Sequence, residues 1–178
     1  MKKNSVLSFA AVLLVSMLLT TVSWAQNANA SKPSPSASAS GKVGEANITI
    51  NYSSPGVKGR TVWGELVPYG KVWRAGANEA TTFTVDKDVM VEGENLPAGT
   101  YSLYAIPGEA QWTIIFNKVA KQWGTQYDEK QDQLRVTTKP RKAASMSERL
   151  AYDVTNNGFV LRWENLEVPV SVKSGNKI

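Results

Sequence analysis

From residue 46 onward the chain is interrupted every few residues by a turn signal, and no window between the interruptions sustains an apolar stripe at helical spacing. A helix buries a face only when apolar residues recur three and four apart over several turns, so helix layers are not what this pattern encodes. Alternation at period two takes their place. Ala46–Ser53 puts Ile48, Ile50 and Tyr52 on one face of a strand. Thr81–Val85 and Val89–Val91 follow on either side of Asp86-Lys87-Asp88. The chain reverses at Asn95-Leu96-Pro97-Ala98-Gly99 and extends again over Thr100–Ile106, which Pro107-Gly108 ends. Gln111–Asn117 is apolar without alternation, the mark of a central strand covered on both faces. Gln133–Thr138 alternates again, with Leu134, Val136 and Thr138 on one side. Arg149–Val154 and Phe159–Trp163 flank Thr155-Asn156-Asn157-Gly158, whose Asn-Gly pair is a strong hairpin signal. Val168–Val172 closes the series, and Pro169 marks an edge or an irregularity there. Two segments, 64–74 and 141–148, leave room for a short helical piece. Eight or nine short strands with turns between them predict an all-β fold, an antiparallel β-sandwich or a jelly-roll-like domain. Strand order is not encoded in such a pattern.

The two ends read differently from the middle. Met1-Lys2-Lys3 precedes a nearly unbroken apolar run from Val6 to Leu19, and small residues follow at Ser23 and Ala25. This is the layout of a secretory signal peptide over residues 1–25, cut after Ala25; Ala28 and Ala30 offer a second, more distant cut. The run is short for a membrane span, so the expectation is a periplasmic or extracellular protein without a membrane anchor once the signal is removed. With no cysteine in the chain it is not a lipoprotein. Residues 26–42 are Ala, Ser, Pro and Asn with no large apolar side chain, so ordering them would cost entropy with no burial to offset it. They are expected to be a disordered linker, with a β-sandwich domain over 43–172 and a flexible tail over 173–178.

Charge and the missing residue types limit the chemistry. The chain carries 20 Lys and Arg against 15 Asp and Glu, a formal net charge of +5. Lys2, Lys3, Lys32, Lys173 and Lys177 all lie in the ends, which leaves residues 42–172 with 15 basic and 15 acidic side chains. The surplus therefore describes the ends and gives no footprint for nucleic acid. Lys118, Lys121, Lys139, Arg141 and Lys142 are interleaved with acids and read as a solvated face. Cys and His both number zero. That removes disulfides, Cys/His zinc sites, and Ser-His or Cys-His nucleophilic catalysis. No cofactor is expected.

One segment does not read as scaffolding. Between the strand ending at Ser53 and the next beginning near Ala80 lies a long connection rich in Gly and Pro, and connections of that length inside a compact domain carry function or structure of their own. It contains Gly59-Arg60-x-x-Trp63-Gly64-x-Leu66-Val67-Pro68-Tyr69-Gly70-x-Val72-Trp73-Arg74-x-Gly76-Ala77-Asn78-Glu79-Ala80-Thr81. Later blocks are Leu96-Pro97-Ala98-Gly99-x-Tyr101-Ser102-Leu103, Trp112–Lys118, Gln122-Trp123-Gly124 and Trp163-Glu164-Asn165. Together these resemble the bacterial domain-of-unknown-function 2911 family over roughly residues 45–172. The resemblance implies an exported β-rich domain and carries no activity with it.

The candidate ligand-binding residues are Arg60, Trp63, Tyr69, Trp73, Arg74, Asn78, Glu79 and, from another loop, Trp123. Aromatic faces beside planar donors and acceptors suit a glycan or peptidoglycan-like ligand, which needs surfaces to stack on and heads to orient hydroxyls and carboxylates. A structural reading stands against this one: Trp63 and Trp73 plug an end of the sandwich, and Arg74 pairs with Glu79 to hold the loop. A carboxylate-dependent hydrolase is the alternative from another class. It needs two acids ~5–9.5 Å apart, and Glu65, Glu79, Glu109 and Glu164 are its candidates. A structural or partner-binding envelope protein is the third. Asp86-x-Asp88 and Asp128…Asp132 read as solvated turn acids more than as calcium ligands, since the glycine and later Glu of a calcium loop are missing. No metal site is expected. Asn47-Ile48-Thr49 and Asn51-Tyr52-Ser53 fit the glycosylation pattern but fall on a strand.

Overall fold

The computed structural model describes residues 33–175. The export signal expected at 1–25, the first part of the expected linker and residues 176–178 of the expected tail lie outside the described residues. Ten strands form: β1 (Ser36–Val43), β2 (Ala46–Ser53), β3 (Thr81–Val85), β4 (Val89–Val91), β5 (Glu94–Leu96), β6 (Gly99–Ile106), β7 (Trp112–Asn117), β8 (Asp132–Thr138), β9 (Arg141–Thr155) and β10 (Gly158–Ser174). One 3₁₀ turn, Glu129–Gln131, precedes β8, and there is no α-helix among the described residues. Every pairing is antiparallel. The first sheet runs β1-β2-β3-β6-β7-β8 and the second β5-β4-β10-β9. The edge strand β1 packs against β9, and β5 against β8, so the two sheets lie face to face as a sandwich.

The alternation expected from the sequence is what builds the core. Ile48 and Ile50 from β2, Phe83 and Val85 from β3, and Leu103 from β6 face Val89, Val91, Phe159, Leu161, Val170 and Val172 of the second sheet, all buried. β6 and β7 are buried almost continuously because their outer face is covered too: Ala80, Tyr104 and Ile115 form a small second cluster with Ile106 and Tyr127. The unbroken apolar run in β7 thus reports a strand with no solvent face, as expected for an interior position.

The structure departs from the sequence reading in several places. Residues 36–42, expected inside the disordered linker, form with Val43 a regular strand paired residue for residue with β2 from Ser36↔Ser53 to Val43↔Ala46. It brings almost no apolar surface, so its order comes from main-chain hydrogen bonds and from lying over β9. Lys173 and Ser174, expected in the tail, end β10 and pair with Met90 and Val89. Residues 141–148 are strand rather than helix, an exposed and largely polar first half of β9. Residues 64–74 hold no helix either; their contacts are isolated bridges.

The runs read as Phe159–Trp163 and Val168–Val172 are one element, β10. It bends where Glu164 takes φ +52°, with the register to β9 shifting on both sides of that residue. The bend brings the strand's two ends side by side, and the Val172 N–H donates to Asn157 O at 2.9 Å. Gly158 sits at this contact with φ +135°, and a Cβ there would stand 2.0 Å from Val170 O. No side chain fits, so this glycine is a packing requirement as much as a turn residue.

A chain beginning at Gly44, which omits β1, is expected to unfold at lower urea concentration than the full domain, with a loss of about 2 kcal/mol or more as the edge of β2 opens to water. An unchanged midpoint would show β1 to be dispensable.

Candidate functional site

The connection from Ser54 to Ala80 closes one end of the sandwich. It leaves β2 and crosses to the second sheet, where Val57 N–H donates to Glu148 O at 2.8 Å and Leu150 N–H donates to Pro55 O at 3.0 Å. A tight turn follows, with Val67 N–H donating to Val62 O at 2.8 Å. The chain then returns to the first sheet, where Trp73 and Ala105 exchange N–H···O bonds of 2.7 and 2.9 Å. Trp73 thereby takes the place beside β6 that β3 vacates after Thr81↔Leu103. Finally residues 78–80 pair with 122–124. Val57, Val62, Val67, Ala75 and Ala77 are buried along the way.

Beneath this closure four indoles meet. Trp63 is edge-on to Trp112, Trp73 and Trp163 at 5.0, 5.7 and 5.7 Å, and Trp73 stacks on Trp163 at 5.9 Å and 15°. Trp112 belongs to β7 and Trp163 to β10, so the cluster joins both sheets to the connection. Edge-to-face contacts of this kind add about 0.5–1.5 kcal/mol each beyond area burial. The indole N–H groups of Trp63, Trp112 and Trp163 have no hydrogen-bond partner among the described residues. An unpaired buried N–H costs about 1–3 kcal/mol, so apolar contact holds this end of the core against a polar cost.

Above Trp73 and Trp163 opens a cleft of about 740 Å³, within the usual range for small-ligand sites. Its walls come from the connection, from Pro33 and Ser34 ahead of β1, and from the loop between β7 and β8. That loop is pinned at its base, where Lys118 N–H donates to Gln131 O at 2.9 Å. Tyr127 donates to Asp132 Oδ2 at 2.6 Å and accepts from Arg135 Nη2 at 2.7 Å, while Arg135 Nε donates to the same carboxylate oxygen at 2.7 Å. Asn117 Nδ2 donates to Asp132 Oδ1 at 2.8 Å. Burial, then the Asp132 carboxylate it donates to, push the Tyr127 phenol up to about 12. Burial also raises Tyr104, against which Tyr127 packs at 4.9 Å.

Of the eight residues expected at a site, Arg60, Trp73, Arg74 and Asn78 line this cleft. The other four do not. Trp63 lies in the indole cluster. Tyr69 is exposed and rests against Gly64. Glu79 lines a shallow depression on the β1–β2 face, beside Ser36, Asn51 and Tyr52. Trp123 is 47% exposed and bridges Glu79 through the main chain. The plug reading is therefore met by Trp63, and Trp73 serves both as plug and as cleft surface. The expected Arg74–Glu79 pair does not form: the Arg74 guanidinium makes no hydrogen bond or ion pair among the described residues.

Several heads are spent on the fold. Arg60 donates to Val57 O at 3.0 Å and Gly56 O at 2.6 Å, closing its own turn. Asn78 takes φ +57°, a conformation its side chain tolerates, and donates to Ser34 O at 3.3 Å. Arg74 lies across Gly124, where a Cβ would stand 2.4 Å from Arg74 Cδ and 2.8 Å from Asn78 O. Lys58, Lys71, Tyr104, Tyr127 and Trp163 also line the cleft and escaped sequence reasoning. For the lysines a signal existed: residues 53–80 hold Lys58, Arg60, Lys71 and Arg74 against Glu65 and Glu79 alone. Glu65, Glu109 and Glu164 lie outside the cleft, as does Glu79. Asp86 is engaged by the main-chain and side-chain amides of Asn47, which hold its carboxyl below the usual range, and Asp88 accepts from Ala98 N–H at 2.7 Å. Among the described residues no group of three or more His, Cys, Asp or Glu is placed to hold a metal ion.

Fold and site define a class: a two-sheet antiparallel sandwich with an end cleft built on tryptophan. The family model described as "Protein of unknown function (DUF2911)" matches residues 34–172, and the chain belongs to that family. The match begins ahead of β1 and ends within β10, so it takes in both the closing connection and the strand that was expected to be linker. No curated protein matches the chain, and no solved structure does.

Tyr127 sets a test in alkali. Its folded value exceeds the unfolded one of about 10, so the associated stability is present below pH ~10 and is lost as pH rises from about 10 to 12. Tyr127→Phe is expected to be less stable than the parent at neutral pH and to lose less on going to pH ~11.5, read as urea midpoints at the two pH values. An equal loss in both proteins would place the alkaline sensitivity elsewhere.

Proposed function

We propose that this is a periplasmic or secreted, non-enzymatic binding module whose end cleft takes a glycan or another cell-envelope ligand. The single observation that carries the reading is the cleft itself: the partly exposed Trp73 indole, backed by buried Trp163, under polar heads that the fold leaves partly unused. Sugar rings present flat apolar faces that stack on such indoles, and planar guanidinium and amide groups orient what surrounds the ring. The Trp73 indole is well placed for this, held by its main-chain pairing with Ala105 and by three indole neighbours. Rigid placement lowers the ordering cost of binding.

The carboxylate-dependent hydrolase gains less support. Paired-acid hydrolysis needs two carboxyl groups flanking one bond, and among the described residues no Asp or Glu lines the cleft. The four candidate glutamates are instead distributed over separate turns, loops and the β10 bend.

A glycan array and a muropeptide panel, applied to the exported protein, test the reading. A hit should weaken about tenfold in Trp73→Ala, the cost of one lost stacking surface, with far-UV circular dichroism confirming the fold. Retained affinity in a folded Trp73→Ala protein would remove the floor from the site. Export is tested separately: mass spectrometry of the protein recovered outside the cytoplasm should find a chain beginning at Gln26, and a chain that keeps Met1 would contradict cleavage.

A further inference from the structure

We infer that the ligand of the end cleft is an organic anion, a carboxylate or phosphate carried on a group with an apolar face, and that Arg74 is its anchor. This rests on the binding reading above and assigns the ligand its charge.

The inference starts from where charge is placed. Lys58, Arg60, Lys71 and Arg74 line the cleft, and among the described residues no acid does. Yet residues 42–172 are balanced at 15 basic and 15 acidic side chains. The cleft is a segregated patch on a neutral domain, not a sample of a basic one. Elsewhere four cations are matched by acids, while others such as Lys118, Lys121 and Lys142 are exposed without an ion pair among the described residues. Arg135 pairs with Asp132 and Glu129, Arg141 and Arg162 with Glu167, Arg162 also with Asp153, and Lys87 with Glu45. None of the four cleft cations forms an ion pair with a described residue. One carboxylate does come close: Glu148 accepts from the main-chain N–H of Lys58 at 3.0 Å and leaves the ammonium unpaired.

Arg74 is the sharpest case. Its neighbour Arg60 has spent donors on two carbonyls, and the lysines are exposed, but Arg74 is half-buried with five N–H donors unengaged. A guanidinium that faces the cleft with its donors unengaged can take an arriving carboxylate or phosphate in a bidentate pair. The fold maintains this position at some expense. Gly124 leaves room for the side chain, and Lys58, Ala75 and Asn78 all take positive φ within the same connection. Strain of this kind is concentrated where a surrounding structure enforces it.

The second half of the inference is the apolar face. Leu66 and Val72 also line the cleft and are 42% and 40% exposed, beside the indole floor. A bare inorganic anion would leave that surface wet. A neutral sugar would find donors but no carboxylate to accept from its hydroxyls. An anion on an apolar-faced ring or chain uses both parts.

Titration calorimetry on the exported protein tests this with matched pairs differing only in charge. The pairs are oligogalacturonate against neutral oligogalactose, a muramyl peptide against its amidated form, and a hexose phosphate against the hexose. The first two pairs carry the carboxylate source and the third the phosphate source. At least one charged member should bind about tenfold tighter than its neutral twin, with affinity falling as salt is added. Arg74→Gln should lose about tenfold for that ligand, Arg74→Lys should recover part of it, and Lys87→Gln, whose partner is Glu45, should bind as the parent. If Arg74→Gln does not fold, Lys71→Gln on the exposed rim is expected to lose about threefold. Twins that bind equally would overturn the inference and leave the binding reading standing. If no member of any pair binds, both fall. A charge preference that survives intact in a folded Arg74→Gln protein would overturn the anchor.

Discussion

Four indoles from three parts of the chain meet at one end of the sandwich, and the rest of that end is arranged around their contact. Trp112 comes with β7 and Trp163 with β10, and both touch Trp63 and Trp73 of the connection, which join the two sheets here. A polar chain with many glycines has little reason of its own to settle across an open sandwich end, because ordering it costs about 1–2 kcal/mol per residue. Burial of two large aromatic side chains, together with Val57, Val62 and Val67, offsets that cost. Once Trp73 is fixed beside Ala105, the positions of Arg74, Gly76 and Asn78 follow within a few residues. The cleft is in this sense a by-product of closing the core.

How legible this was depended on whether the stabilising force acts through side chains near in sequence. Strands such as β2 and β3 announce themselves because Ile48, Ile50, Phe83 and Val85 alternate and are buried on that account. β1 is silent: Ser and Ala in alternation carry no signal when the strand is held by main-chain bonds to β2. The first half of β9 is silent for the same reason, being mostly exposed along Arg141–Glu148. In the site, composition drew attention to the connection, and four of the residues it named line one cleft. The wall supplied by Tyr104, Tyr127 and Trp163 was out of reach, since it depends on which strands are neighbours. Trp123 and Glu79 were grouped with the others by residue type, but their main-chain pairing turns them away from the cleft.

The same division runs through the electrostatics. Exposed pairs such as Lys87 with Glu45 contribute little individually, and they serve mainly to leave the strand surfaces neutral. The Asp132–Tyr127–Arg135 group is different, because three side chains share one carboxylate and secure a loop that forms a wall of the cleft. In the cleft, Lys58, Arg60, Lys71 and Arg74 stand together with no acid among the described lining residues. A neutral domain can therefore present a cationic opening without becoming a polycation.

The concentration of tryptophan has an optical consequence. Of the five indoles in the described residues, four are linked by ring contacts of 5.0–6.2 Å and only Trp123 stands apart in solvent. Rings that close couple as excited states, so near-ultraviolet ellipticity and quenched emission report on a single location, the junction of both sheets under the cleft. The protein carries its own chromophore for the one place where core integrity and access to the opening are the same event.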